Sequence, residues 1–105
     1  MLSVKKLLYK MLATLKDYST VVVFTDTSQT IAAYNAVTRN DLSLSSVIPS
    51  GYKAIMATSQ FVGGYTCYCY GVTVTGGNKL TYQIRNVDAS QRTVTPSFQI
   101  LCVRA

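Results

Sequence analysis

The spacing of apolar residues changes once along this chain, close to Asp17, and that change constrains the fold more than any other feature. Before it, apolar residues recur at intervals of four, three and four positions, at Val4, Leu8, Met11 and Leu15. This spacing is typical of an amphipathic helix with an a/d seam. After it, short runs rich in Thr, Val and Tyr alternate with turn residues, a pattern typical of strands. We therefore expect a helix at 1–17 and a β head at 18–105.

The predicted helix covers residues 2–17, with Ser3 as its N-cap. Most of its lysines fall off the seam. A helix of this length is marginal in isolation, so it needs a partner surface. Three partners fit: its own head, copies of itself in a short parallel coiled coil, or an anionic membrane surface. The coiled coil is the preferred interpretation, and membrane contact is disfavoured because the helix has no Trp or Phe at its polar–apolar boundary.

Charge narrows the possible functions. The chain has a net charge of +6 and contains no His. Its only acidic residues are Asp17, Asp26, Asp41 and Asp88. The bases of the head are scattered along the sequence, whereas nucleic-acid binders usually concentrate them on one face. We therefore expect no nucleic-acid partner.

The head is expected to contain six or seven short strands. The candidate segments are 20–25, 31–37 (strand or short helix), 52–61, 65–75, 80–85 and 98–103. Turns are predicted at 49–51 and 76–78, the second closing a hairpin. Together these segments predict a mainly β fold, in which the short amphipathic helix precedes an antiparallel β-sandwich, jelly-roll-like head.

The last two strands carry the clearest patterns. Leu80, Tyr82 and Ile84 alternate with polar residues, which predicts a strand with one buried and one wet face. The segment 98–103 is apolar on both faces apart from Gln99. We expect this last strand to be central, or covered by a neighbouring subunit.

The sequence favours a non-catalytic role. General acid–base chemistry usually employs His or paired carboxylates, and here the aspartates are far apart. Asp26, Asp41 and Asp88 all fall in predicted loops, where capping of turns is their expected role. Three cysteines without His make a poor metal site, and Cys67 and Cys69 are too close within one strand for a comfortable disulfide. We expect no cofactor and no metal.

Tyrosines offer the best indication of binding. Strict alternation places Tyr68 and Tyr70 on one face with Val72 and Val74, and we expect that face to be core. Tyr65 lies beside a glycine pair and is expected at the surface, which makes it the ligand-binding candidate.

The C-terminal part of the chain combines several recognisable features. One strand ends in Arg85-Asn86, a Ser/Thr-rich loop follows at 88–95, and an apolar strand at 98–103 closes the sequence. Upstream, residues 48–53 place a proline, a glycine and a tyrosine at the start of a strand. These features, with the leading helix, resemble small phage and prophage tail-fibre or fibre-head proteins of gut Firmicutes phages.

The resemblance implies a homotrimeric virion appendage, synthesised in the bacterial cytoplasm. It further implies a receptor-binding or decorating role, with a host surface glycan or another virion protein as partner. The expected subunit interface combines the helical seam with the outer side of the last strand: Val4, Leu8, Met11, Leu15, Leu101 and Val103. Two rivals remain open, namely a small adaptor anchored through its basic helix and, less favoured, a glycan-active enzyme.

Overall fold

The computed structural model describes residues 3–60 and 66–105, and within 11–17 it describes the backbone alone. One helix, α1 (Val4–Tyr18), begins the described chain. The Ser3 hydroxyl accepts a hydrogen bond from the Lys6 backbone N–H at 3.2 Å, which confirms the predicted N-cap. The helix ends where the first strand begins, so no loop separates them.

The rest of the described chain is a series of antiparallel strands. Their bounds are β1 (Ser19–Thr25), β2 (Gln29–Ile31), β3 (Ala36–Ser43), β4 (Tyr52–Ser59), β5 (Cys67–Thr75), β6 (Lys79–Asn86), β7 (Arg92–Val94) and β8 (Ser97–Arg104). Sheet 1 has the order β1-β8-β4, sheet 2 has the order β3-β6-β5, and β2 pairs with β7. The prediction of a mainly β chain with one short helix and antiparallel sheets is confirmed.

The core lies between the two central strands. On β6 the side chains of Leu80, Tyr82 and Ile84 are fully buried. On β8 every second side chain is likewise buried, and Phe98 meets Tyr82 with ring centroids 4.6 Å apart. The alternation predicted for β6 is confirmed. Of the two alternatives predicted for the last strand, the central position is the one observed. Tight aromatic contact of this kind stabilises a core beyond the area it buries.

The predicted hairpin at 76–78 is also confirmed. Thr75 pairs with Lys79, so the three residues 76–78 join β5 to β6. Gly76 and Gly77 have φ values of +62° and +73°, and the Asn78 N–H donates to the Thr75 carbonyl oxygen at 3.3 Å. Glycine adopts two consecutive positive φ angles without steric cost.

The segment 31–43 differs from the prediction. Strand β2 ends at Ile31, a turn follows, and β3 runs from Ala36 through Asp41. Asp41, expected in a loop, therefore lies in a strand, at a bulge where its φ is +51°. Its backbone N–H donates to the Thr81 hydroxyl at 3.0 Å. The polar sequence concealed this strand because a bulged edge strand tolerates residues that a regular one disfavours.

The molecule is elongated. Its principal extents are 67 × 25 × 18 Å and its radius of gyration is 17.9 Å, against about 13 Å for a compact chain of this size. The helix contacts the head at β1 and β8, next to its own C-terminal end. The head therefore stands at one end of the helix rather than beside it.

Candidate functional site: two outer faces of the head

Asp26 forms the main buried polar cluster that the structure describes. Its carboxylate accepts hydrogen bonds from Tyr82 OH at 2.5 Å, from Arg39 Nε and Nη2 at 3.0 and 3.2 Å, and from the Thr27 N–H at 2.8 Å. Asp26 follows β1 of sheet 1, whereas Arg39 and Tyr82 belong to sheet 2. The cluster therefore ties the two sheets together.

The electrostatics of this cluster fit a structural role. Burial raises the pKa of Asp26, but the hydrogen bonds from Arg39, Tyr82 and Thr27 outweigh it, so the pKa lies below its ordinary value of 3.8. Burial, followed by the bond to Asp26, raises the pKa of Tyr82 above its ordinary value of 10. Asp26 is thus a charged acceptor at neutral pH, and its oxygens are occupied by protein donors. Such a carboxylate is poorly suited to proton transfer.

This cluster could not be predicted from the sequence. Asp26 was expected to cap a turn and Arg39 was expected to be one of several scattered bases. They are thirteen positions apart, and nothing in their local sequence marks them as partners. The remaining loop acid, Asp88, pairs with the Arg92 side chain at the surface.

Asn86 organises the loops at one end of the head. It is fully buried, and its amide nitrogen donates to the carbonyl oxygens of Ile31 and Ser90 at 3.1 and 2.9 Å. Its amide oxygen accepts from the Thr66 hydroxyl and the Asp88 N–H at 3.2 and 2.9 Å. One side chain therefore holds three loops, which gives a physical reason for an asparagine at the end of β6.

The thiols have little nucleophilic character. Burial raises the pKa of Cys67, Cys69 and Cys102 above the ordinary value of 9.0. Reactive cysteines have the opposite shift. In the described part of the chain, no group of three His, Cys, Asp or Glu side chains is placed to hold a metal ion.

Sheet 1 has an apolar outer side. We define its apolar face as Val21, Val23, Ile55, Met56, Leu101 and Val103. Val21, Leu101 and Met56 lie in one row across β1, β8 and β4. Val21 is 59% exposed and Met56 is 51% exposed, while Leu101 and Val103 are half-buried. Clustered aliphatic side chains on an exposed sheet face are typical of an interaction surface.

The helix carries a second exposed apolar surface. Val4 is 85% exposed and Leu8 is 53% exposed, so the head does not cover this part of the predicted seam. The side chains of Met11 and Leu15 lie outside the described residues. Lys5 and Lys6 are exposed, off the line that joins Val4 to Leu8. The alternative in which the helix packs on its own head has no support over residues 4–10.

Sheet 2 has a polar and aromatic outer side. We define its tyrosine face as Tyr68, Tyr70, Gln83 and Arg85. Tyr68 pairs with Arg85 and Tyr70 pairs with Gln83 across the β5–β6 ladder. The two tyrosine rings are 5.6 Å apart, and Tyr68 is 48% exposed. The Arg85 Nη1 donates to the Tyr34 carbonyl oxygen at 3.3 Å.

The prediction that Tyr68 and Tyr70 are core residues was wrong. A bulge at Gly71, whose φ is +62°, inserts one extra residue between Tyr70 and Thr73. The insertion reverses the facing of the strand, so that Val72 and Val74 pack on the core while both tyrosines point outward. Tyr65, the predicted ligand residue, lies outside the described residues.

No helix in the described residues is long and apolar enough to cross a membrane. Comparison with known proteins found no matching family model, curated protein or solved structure. The described surfaces with the clearest binding character are the two outer faces of the head and the exposed apolar stripe of the helix.

Proposed function

We propose that this chain is a non-catalytic virion structural protein, a homotrimeric fibre or tail-associated head that binds a host surface receptor or another virion protein. The observation that carries the proposal is an exposed apolar helix stripe that leads without a loop into a head whose first sheet has an apolar outer face. The proposal that the protein belongs to a virion rests on the resemblance of the C-terminal segment to phage fibre proteins.

Stability supports self-association of the helix. Helix α1 has 15 residues, and isolated helices shorter than about 12–15 residues are marginal in water even for the best sequences. The described half of its stripe has no covering surface in the single chain. Parallel association of three copies would bury Val4 and Leu8 at the axis and leave Lys6 in solvent.

The apolar face of the head would contact neighbouring chains in the same trimer. Because β1 follows α1 directly, association of the helices brings β1 of neighbouring chains toward a common axis. Val21, Val23 and Leu101 would then be covered by a neighbour. Each such side chain contributes on the order of 1 kcal/mol when its remaining exposed surface is buried. Oligomerisation is a common way to stabilise a small core.

We further propose that the head is a jelly-roll-like sandwich. Support comes from the shared core, in which Tyr82 of sheet 2 contacts Phe98 of sheet 1, and from the Asp26 cluster that joins the sheets at one edge. In a sandwich each sheet has one outer face. One outer face can then contact neighbouring subunits while the other contacts a receptor.

The test is the mass of the full chain in solution, measured by light scattering after size exclusion. We expect three chain masses for the unmodified protein. Val4→Asp with Leu8→Asp should give the monomer, because two charges enter the seam. The control, Lys6→Asp with Tyr9→Asp, places two aspartates on the opposite side of the helix. It changes the net charge by −3 against −2 for the seam variant, and it should nevertheless remain trimeric. A monomeric unmodified chain at high concentration contradicts the proposal.

A second candidate function rests on the same helix. Exposed Val4, Leu7 and Leu8 beside exposed Lys5 and Lys6 would suit an adaptor that lies on an anionic membrane surface. Co-sedimentation with anionic vesicles at low salt, lost at high salt, would favour it. Failure to co-sediment at low salt removes this candidate.

A further inference from the structure

The tyrosine face depends on a local irregularity of β5. In a regular strand, period two would put Tyr68 and Tyr70 on the same side as Val72 and Val74. The bulge at Gly71 interrupts the regular β5–β6 pairing with one extra residue, and both tyrosine rings therefore point outward. Bulges are often found beside binding sites, where they redirect a side chain. The strand thus turns two aromatic rings away from the core, with Tyr68 exposed and Tyr70 half-buried.

The chemistry around the rings favours a hydroxyl-rich ligand. Gln83 lies opposite Tyr70, and Thr38 on β3 is the cross-strand neighbour of Gln83 on the other side. Further along β5 the outward residues are Thr73 and Thr75, both exposed. Such a surface offers hydrogen bonds at nearly every position and little aliphatic area. A sugar ring matches it, because its C–H face stacks on tyrosine while its hydroxyls bond to amide and hydroxyl groups.

The charge of the tyrosine face indicates which class of sugar would bind. Arg85 lies directly opposite Tyr68, and its guanidinium is positioned by the bond to the Tyr34 carbonyl. Asp41 is hydrogen-bonded to Thr81, four residues from Arg85 along β6 and therefore about 13 Å away. Asp88, which follows β6, is paired with Arg92. The end of the face that carries Tyr68 is consequently basic. A guanidinium binds carboxylates well because it can donate two parallel hydrogen bonds.

We propose that Tyr68, Tyr70, Gln83 and Arg85 bind an acidic oligosaccharide, with sugar rings stacked on the tyrosines and a sugar carboxylate at Arg85. This inference rests on the proposed function, which leaves the receptor open, and it names the class of that receptor. It also assigns recognition to sheet 2, away from the apolar face that is proposed to be covered by a neighbouring chain.

The test uses the full chain and three probes in titration calorimetry: tetragalacturonate as the acidic sugar, cellotetraose as a neutral sugar of the same length, and octaglutamate as an acidic peptide. Tetragalacturonate should bind most tightly. Tyr68→Ala should weaken its binding about tenfold or more, as loss of a central aromatic contact does. Arg85→Gln should remove the preference for the acidic over the neutral sugar while binding of the neutral sugar persists.

Tyr9→Ala provides the matched control, because Tyr9 is an exposed tyrosine on the helix. It should leave the affinity within about twofold of the unmodified chain. The inference is overturned if neither sugar binds, if Tyr68→Ala and Tyr9→Ala have equal effects, or if octaglutamate binds as tightly as tetragalacturonate. Light scattering on the same samples separates the two proposals. A trimer that binds no sugar refutes only the sugar site, and a monomer that binds sugar refutes only the assembly.

Discussion

Sheet 1 and sheet 2 are built alike on the inside and differ on the outside. Each has three antiparallel strands, and each has a central strand with every second side chain buried. On the outside, one cross-strand row of sheet 1 consists of Val21, Leu101 and Met56. The corresponding side of sheet 2 carries Tyr68 and Arg85 in one row. The inner faces thus form the core, whereas the different outer side chains suit the two sheets to different binding partners.

The central strands show the origin of the difference. The outward positions of β6 are polar or charged throughout: Lys79, Thr81, Gln83 and Arg85. On β8 the outward positions Leu101 and Val103 are apolar, and the polar outward positions Ser97 and Gln99 lie nearer the start of the strand. A strand with one wet face is compatible with solvent, whereas a doubly apolar strand is typical of one that is covered on both sides. The comparison leads us to expect that assembly covers sheet 1 and leaves sheet 2 open.

The largest effect is expected from charges placed on the apolar face. Val21→Lys with Met56→Lys should dissociate the assembly, because two desolvated charges would have to enter the subunit interface. Analytical ultracentrifugation should show a dissociation constant raised by several orders of magnitude. The matched variant, Thr38→Lys with Thr73→Lys, adds the same charge to exposed edge-strand positions of sheet 2 and should remain assembled. Equal dissociation by both pairs would remove the distinction between the faces.

A smaller effect is expected from the cluster that joins the sheets. Asp26→Asn removes the charged acceptor of Arg39 and Tyr82, and we expect the free energy of unfolding at neutral pH to fall by about 2–3 kcal/mol. Urea denaturation measures it. Asp41→Asn, the same substitution at an exposed aspartate, is the control and should change stability by less than about 0.5 kcal/mol.

The same variant has a defined pH dependence. The pKa of Asp26 is lower in the folded protein than its ordinary value of 3.8. Its charge therefore stabilises the fold above that value, and this contribution is lost as the pH falls through the lower folded pKa. The stability gap between the unmodified chain and Asp26→Asn should be constant at neutral pH and shrink below about pH 4. A gap that widens on acidification would contradict this role for Asp26.

The bulge that exposes the tyrosines gives a more modest prediction. Gly71→Ala places a side chain at a φ of +62°, which costs about 1–2 kcal/mol for a residue other than glycine. The added carbon would also lie 3.4 Å from Gln83 Nε2. We expect lower thermal stability and weaker sugar binding from the same variant. Unchanged thermal stability would contradict the prediction, because it would mean that the positive φ at residue 71 does not require glycine.

The smallest effect is expected at the helix N-terminus. Ser3→Ala removes the cap on the Lys6 N–H and should reduce helix stability by roughly 0.5–1 kcal/mol. Circular dichroism at 222 nm, measured at concentrations near the dissociation constant, should show less helix. Ser3→Asp restores an acceptor and should recover the signal. No recovery would mean that the cap does not limit helix formation.

The sequence predicted the inner faces well because they follow simple periodicity. Leu80, Tyr82 and Ile84 alternate with polar residues, and the alternation survives since β6 is a regular central strand. The hairpin at Gly76-Gly77 was equally predictable, because its backbone geometry favours glycine locally. In both cases the residues that determine the structure lie within a few positions of the strand or turn that they form.

The outer faces were harder to predict because bulges change them. Tyr68 and Tyr70 were assigned to the core since a one-residue insertion at Gly71 cannot be inferred from alternation. The Asp26–Arg39 pair escaped prediction for another reason: it depends on how two sheets meet, which is a tertiary property. The interface residues of the helical seam remain a prediction, with Val4 and Leu8 seen to be exposed and accessible for assembly.

The central claim is that assembly covers the apolar face and leaves the tyrosine face open, and hydroxyl-radical footprinting tests it within one molecule. Met56 and Tyr68 have similar exposure in the single chain, 51% and 48%. In the full chain at concentrations above the dissociation constant, we predict that Met56 oxidation is slowed strongly relative to the Val4→Asp, Leu8→Asp monomer, while Tyr68 oxidation is unchanged. Equal protection of both residues, or protection of Tyr68 alone, would contradict the account.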